Sequence, residues 1–405
     1  MVMRLIYRLS VGSVIFFLNC TDFQIKSDIF EIKIFENLSN TKNVKLSSIA
    51  SSIEYYILET DKNFLVSSTS SIYCSEDYFV SIENHGCFVF ERTTGNFVRQ
   101  ISSGGRGPSE FLSVISSFWD RDNENICVVG ADRQLRFYNL DGTLSHQTSN
   151  FIDINYGYIV AFGDFYVQAI HNRTGNNKIK IAFYCQSGNL ICSVPNQSTW
   201  EVSQPGFIGL LSDRWLYTFE NNLFFKEASN DTLFQIENYE LKPRLVFDTG
   251  GRAVPYELQE EGRWNLYAAF SSGREPDDRY ERYILISKII EDAHRLYFTI
   301  EHNQRLYPAV FEKMEKKLEV FFPVDIPAFR RDRKIPLYGF ENDLDGGLPF
   351  WPQQIISDTE MMQIYSAEDL LELDASEITD ENLKNLLQNL TEECNPVVAI
   401  VKLAN

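Results

Sequence analysis

Three sets of residues in this 405-residue chain have types and spacing that could do chemistry. Gly104-Gly105-Arg106-Gly107 sets small residues beside a guanidinium, as a phosphate-cradling loop would. No Gly-Lys-Ser/Thr follows, so the glycines read as a connection that passes close to its neighbour. Arg106 then either holds a carboxylate or presents its guanidinium to a ligand. Glu341, Asp343 and Asp345, before Gly346, place carboxylates at alternate positions like the start of a calcium loop. The closing carboxylate would fall on Pro352, so an EF-hand-type site fails and a tight Asp-Gly-Gly turn is the simpler reading. The five histidines (His85, His146, His171, His294, His302) form no HExxH motif, and there is no Gly-x-Ser-x-Gly elbow. His85, His171 and His302 fall on separate loops, whereas zinc needs every ligand within about 2.1 Å of one point. No catalytic, cofactor-binding or metal-binding residue is therefore assigned.

The cysteines give no framework either. Cys185 and Cys192 flank a Ser187-Gly188 turn that would set Cys185 opposite Leu190. Cys192 is then a diagonal neighbour roughly 7–8 Å away, too far for a disulfide. Lys and Arg number 37 against 56 Asp and Glu, a net charge of −19 that disfavours a phosphate-backbone partner such as nucleic acid. Hydrophobic residues at 44% suffice for a core and exclude a disordered chain. The 31 Phe and 20 Tyr lean toward strands.

Residues 1–20 read as an export signal. Arg4 and Arg8 precede an apolar run, Val11 to Leu18, too short to span a bilayer, which needs roughly 20 apolar residues. Phe17-Leu18-Asn19-Cys20 resembles a bacterial lipobox, with Asn19 where a small residue is usual, and makes Cys20 the lipidation site. Residues 21–43 are expected to be a tether from the lipid to the folded domain.

From residue 44 the chain repeats one unit: a strand, an acidic turn, then an apolar-aromatic strand. Asp77, Asp122, Asp164, Asp213, Asp292 and Asp358 mark it at steps of 45, 42, 49, 79 and 66 residues. Polar-Gly hairpin turns, such as Thr94-Gly95, Asp141-Gly142 and Ser187-Gly188, follow in the first three units. A step of roughly 40–50 residues per four-stranded unit is that of a β-propeller blade. Six units follow, with insertions at about 251–282 and 366–394. In the sixth, helical stretches at Ala367 to Leu373 and Glu381 to Leu390 have Ser366 and Thr379 as N-caps. That unit lacks a fourth strand, while Ile53 to Leu58 is left over at the N-terminus. The expected fold is an all-β, six-bladed β-propeller with small helical insertions over 44–405, closed circularly by the N-terminal strand.

Gly105-Arg106-Gly107-Pro108, with Asn125 to Val129 and Gln134 to Gly142, is similar to an NHL-type propeller repeat. Together with Ile53-Glu54-Tyr55, Asp343-Leu344-Asp345-Gly346-Gly347, Phe350-Trp351-Pro352 and Ser366-Ala367-Glu368-Asp369, it resembles the six-bladed, NHL/TolB-like β-propeller lipoproteins of Gram-negative gut-type bacteria. That resemblance implies fold and export to the cell envelope as an outer-membrane lipoprotein, but no reaction.

Function must then be argued from a site rather than a fold. The expectation is a lipid-anchored, non-enzymatic binding or scaffolding module without a cofactor, whose partner is an envelope protein, peptide or glycan. The alternative is a propeller enzyme, lactonase-like hydrolase or lyase, with a central metal. In up-and-down blades the connections between blades share one face of the ring, opposite the short first-to-second and third-to-fourth turns. That face carries the elaborate loops and is where binding concentrates, with Arg106, Trp264 and Asp345 as candidate contacts.

Overall fold

The computed structural model describes residues 29–68, 70–121, 123–149, 151, 157–172, 175–199, 214–255, 282–326, 336–374, 376 and 378–404. They form six sheets, each built on four antiparallel strands. The strands of blade one are Ser71–Cys74, Tyr78–Glu83, Gly86–Glu91 and Phe97–Ser103. Those of blade two are Val114–Asp120, Asn125–Gly130, Leu135–Asn139 and Leu144–Thr148. Blade three holds Gly157–Phe162, Phe165–Ile170, Ile179–Cys185 and Leu190–Pro195. Blade four holds Arg214–Phe219, Asn222–Glu227, Thr232–Glu237 and Glu240–Asp248. Blade five holds Leu285–Glu291, Arg295–His302, Arg305–Glu312 and Lys317–Phe321. Blade six is built from Gln354–Ser357, Glu360–Tyr365 and Val397–Leu403, completed by Ala50–Ile57. The six-bladed propeller and its circular closure are both present: Val398 pairs with Tyr56 and Ile400 with Glu54.

The central strands show why these segments are apolar throughout rather than alternating. Every residue of Asn125–Gly130 is buried. Each face of a blade packs on a different neighbour, so both sides of its strands leave water. Phe79, Phe88 and Phe90 meet Met362, Val398 and Ile400 of blade six, while Val80, Val89 and Cys87 on the other face meet Ile126, Val128 and Tyr138 of blade two. Four further cores repeat this between successive blades, joining the ring through six interfaces.

Four expectations need correction. The expectation that Asp213 marks the turn into the second strand of its unit fails: the apolar-aromatic strand after it, Arg214–Phe219, is the first of blade four. The hairpin turn there is Glu220-Asn221, both at positive φ (46° and 55°), so it lacks the glycine that marks such turns. The second insertion helix is capped by Asp380, whose carboxylate accepts from the backbone N–H groups of Asn382 and Leu383, rather than by Thr379. A bulge between Phe183 and Tyr184 sets Tyr184, not Cys185, opposite Leu190; both cysteines are free thiols all the same.

The fourth concerns the tether. From Phe30 the segment 21–43 is part of the ring's outer wall. Phe30–Lys33 adds in parallel to the last strand of blade four, and Thr41–Lys42 to the last strand of blade five. Ile32 and Ile34 are fully buried against Phe247, Phe298 and Phe311. Val44 and Leu46 continue into the core shared by blades five and six. The physical reason is edge protection: an outermost strand leaves backbone groups unpaired, and this segment covers two such edges. No helix among the described residues is long and apolar enough to cross a membrane.

A candidate ligand-binding cleft on the propeller axis

The first strand of each blade is innermost, so its side chains reach the central channel. Between blades three and six they line a cleft of about 470 Å³. Its walls are Tyr158 of blade three, Trp215 to Tyr217 of blade four, Lys288 to Ile290 of blade five, and Gln363 of blade six. Pro336 to Tyr338 and Trp351 to Gln353, from the connection between blades five and six, complete it. The cleft therefore opens on the face that carries the blade-to-blade connections. Its size and its mixture of aromatic rings with a few polar groups match a small-molecule site.

Each wall residue is held by packing behind it. Trp351 is buried among Phe340, Tyr338 and Phe321, at ring separations of 6.2, 6.0 and 5.8 Å. Gly339 sits at φ 127°, where a Cβ would meet the Phe350 carbonyl oxygen at 2.2 Å, so only glycine lets this connection fold. The Trp351 N–H donates to Gln363 Oε1 at 2.6 Å, and the Tyr365 hydroxyl donates to the same oxygen at 3.0 Å. Both bonds use the carbonyl side of that amide.

Tyr217 is fixed from below. Its hydroxyl donates to Glu291 Oε2 at 2.9 Å, and Arg244 grips the same carboxylate with two bonds of 2.6 and 2.5 Å. Lys313 adds a contact at 2.5 Å. Burial alone would raise the Glu291 carboxyl, but the two cations outweigh it and hold it below the ordinary value. The same burial, with Glu291 beside it, pushes the Tyr217 hydroxyl well up, so it stays a neutral donor.

Lys288 is set apart by its backbone. It sits at φ 50°, in a bulge between Ser287 and Ile290 that turns one residue out of the ladder. Its ammonium donates to the Tyr338 hydroxyl at 3.1 Å and lies 5.6 Å from that ring's centre.

The residues singled out in the sequence lie elsewhere. Arg106 is exposed on the connection between blades one and two and forms no ion pair among the described residues. The loop around it does hold a carboxylate, that of Glu110, through the Gly107 N–H at 2.7 Å and the Ser103 hydroxyl at 3.1 Å. Gly104 packs so closely that a Cβ would stand 2.8 Å from the Asn84 carbonyl oxygen. Asp345 is only 5% exposed. Its carboxylate accepts from the Gly347 N–H at 2.8 Å, and burial raises its pKa. Asp343 accepts from the Ser47 N–H and hydroxyl at 2.9 and 2.7 Å, and Glu341 from the Asn43 amide. The three acids thus diverge, two fastening the N-terminal segment and one folding the turn. Trp264 and Cys20 lie outside the described residues.

Arg106 and Asp345 stand on connections two blades apart, and the structure does not bring them together. His85 packs tilted against Phe88 and His171 against Tyr158, and His302 Nδ1 lies 2.9 Å from the Tyr283 carbonyl oxygen. Among the described residues no three His, Cys, Asp or Glu are grouped to hold a metal ion. Sequence reasoning missed Lys288 and Tyr338 as site residues. The signal available was the aromatic residue near the start of an inner strand, visible at Tyr158 and Trp215.

Comparison with known proteins gives a family and a fold. A family model described as a domain of unknown function, DUF4934, matches residues 29–402. A crystal structure of a Bacteroides fragilis protein described as exported is similar at a TM-score of 0.64 and 16% identity, covering 93% of this chain and 99% of that one. Porphyromonas gingivalis PorZ, a surface component of the type-IX secretion system, reaches a TM-score of 0.36 at 9% identity, over 66% of this chain and 29% of its own. The extracellular domain of a B. thetaiotaomicron one-component system reaches 0.38 at 11%, over 67% and 30%. No curated protein matches the sequence.

Proposed function

The chain belongs to the DUF4934 family, and from that premise we propose that it is an exported, envelope-associated propeller that binds a small glycan or peptide ligand in its axial cleft. The observation that carries this is the cleft itself: about 470 Å³ on the channel axis, walled by Tyr158, Trp215, Tyr217, Tyr338 and Trp351. Aromatic faces on a rigid scaffold offer a large contact area at little entropic cost, and the amide and hydroxyl groups among them supply direction. The likeness to an exported Bacteroides protein and the signal-like residues 1–20 support export. The proposal includes acylation at Cys20, making the protein an outer-membrane lipoprotein of the NHL/TolB-like kind.

Phe30 pairs with Leu245 and Lys33 with Asp248, so the chain climbs blade four toward the connection face. The described chain thus enters the ring along the outer edge of blade four. Arg106 and Trp264 remain candidate rim contacts in this proposal, whereas Asp345 shapes the connection that carries the Trp351 wall. A glycan and peptide array probed with wild-type protein and with Tyr338→Ala tests the reading. Binding that falls at least tenfold in the variant supports it, and binding indifferent to Tyr338 but lost on altering the Asp141-Gly142 turn contradicts it.

A further inference from the structure

We infer that the axial cleft selects an anionic saccharide, one whose sugar ring lies on the aromatic walls and whose carboxylate meets Lys288. This rests on the binding cleft proposed above and names its ligand class. Lys288 is the only cation among the described lining residues. It forms no ion pair with a described residue, and its one hydrogen bond goes to a neutral phenol, Tyr338. By contrast, Arg244 and Lys313 share Glu291, and Arg214 and Lys180 share Glu227. Lys288 thus stands at the wall of the cleft with no direct carboxylate contact among the described residues, its charge acting through space on the Glu301 carboxyl.

The backbone beneath it is left-handed, one of ten such non-glycine positions among the described residues. A lysine at φ 50° occupies a region that L-residues enter at a cost and that clusters at functional sites. The bulge turns Lys288 out of the strand while Ile289 beside it stays buried. What the rest of the wall offers is specific as well. Trp215, Tyr217, Tyr338 and Trp351 line it, and aromatic rings, with their negative quadrupole, suit the C–H face of a sugar. The Tyr338 hydroxyl and the Gln353 and Gln363 amides supply donors and acceptors for ring hydroxyls. A cleft of about 470 Å³ suits a short, compact ligand.

The test titrates the full chain with digalacturonate, a glucuronate disaccharide and sialyllactose, each beside its neutral methyl ester, and reads tryptophan fluorescence. A bond between a charged pair favours at least one acid over its ester by about tenfold or more. Lys288→Asn removes the charge while keeping a residue that tolerates positive φ, so the melting temperature stays unchanged and the preference disappears. Equal affinity for acid and ester in the wild type overturns the anion selectivity but leaves the cleft as a binding site. A preference that survives Lys288→Asn overturns the role of Lys288. Failure of every saccharide to bind overturns the ligand class, whereas the broader reading fails only if the Tyr338→Ala comparison on the array also fails.

Discussion

The Lys402 ammonium donates to Glu54 Oε1 at 2.6 Å across 348 residues of sequence, so the two ends of the domain meet in one sheet. The ion pair marks this closure more than it holds it. Both side chains are over two-fifths exposed, and such pairs contribute below about 1 kcal/mol. Ile400, one residue inside the same strand pair as Val401, is buried between blades six and one. Ile400→Ala should cost about 2–5 kcal/mol by urea denaturation, and Lys402→Ala less than about 1. Equal effects would mean that blade six is not closed by this pair of strands.

The N-terminal segment should behave as wall, not tether. Ile34 is fully buried against the core between blades four and five. Ile34→Ala is expected to lower the unfolding free energy by about 2–5 kcal/mol. A loose tether would tolerate the change without a measurable shift in the urea midpoint.

Acid should loosen the seam between blades four and five. The Glu291 carboxyl is held below its ordinary value of 4.5 in the folded state by Arg244 and Lys313. A depressed carboxyl contributes stability fully present above 4.5 and lost as the pH falls through the folded value. Glu291→Gln leaves both cations without their partner, so it should cost about 3–5 kcal/mol at neutral pH. The variant's stability should also vary less with pH below 4.5 than the wild type's. Parallel pH profiles would show that Glu291 is not the group responsible.

Lipidation is the localising claim. Cys20→Ser should release the protein from the membrane fraction, since each buried methylene of an acyl chain contributes about 0.8 kcal/mol to anchoring. Unchanged fractionation of the variant would refute acylation at Cys20.

Much of the ring was legible because a propeller writes itself locally. Blades one to three end their second hairpins with a polar-Gly turn, and Gly95, Gly142 and Gly188 all take positive φ there. Blade four was misplaced by one strand because Glu220-Asn221 reaches the same conformation without glycine. The N-terminal wall was missed for a different reason: Phe30, Ile32 and Ile34 alternate with charged residues as a half-buried strand does, but the edges they cover lie more than 200 residues away. The site was hardest. Arg106 and Asp345 stand out in sequence for glycine-rich surroundings, but those glycines serve close backbone packing and a tight turn. Lys288 and Tyr338 carry no motif, and they meet only because the connection between blades five and six folds back over the inner strand of blade five.

The central claim, a ligand site on the channel axis, is tested most directly by hydrogen–deuterium exchange with and without the strongest binder from the array. Saturating ligand should slow exchange in Arg214–Phe219, Leu285–Glu291 and residues 336–353, and leave the turns at Thr94-Gly95 and Asp141-Gly142 unchanged. Protection confined to those turns, with the cleft segments unaltered, would contradict the account.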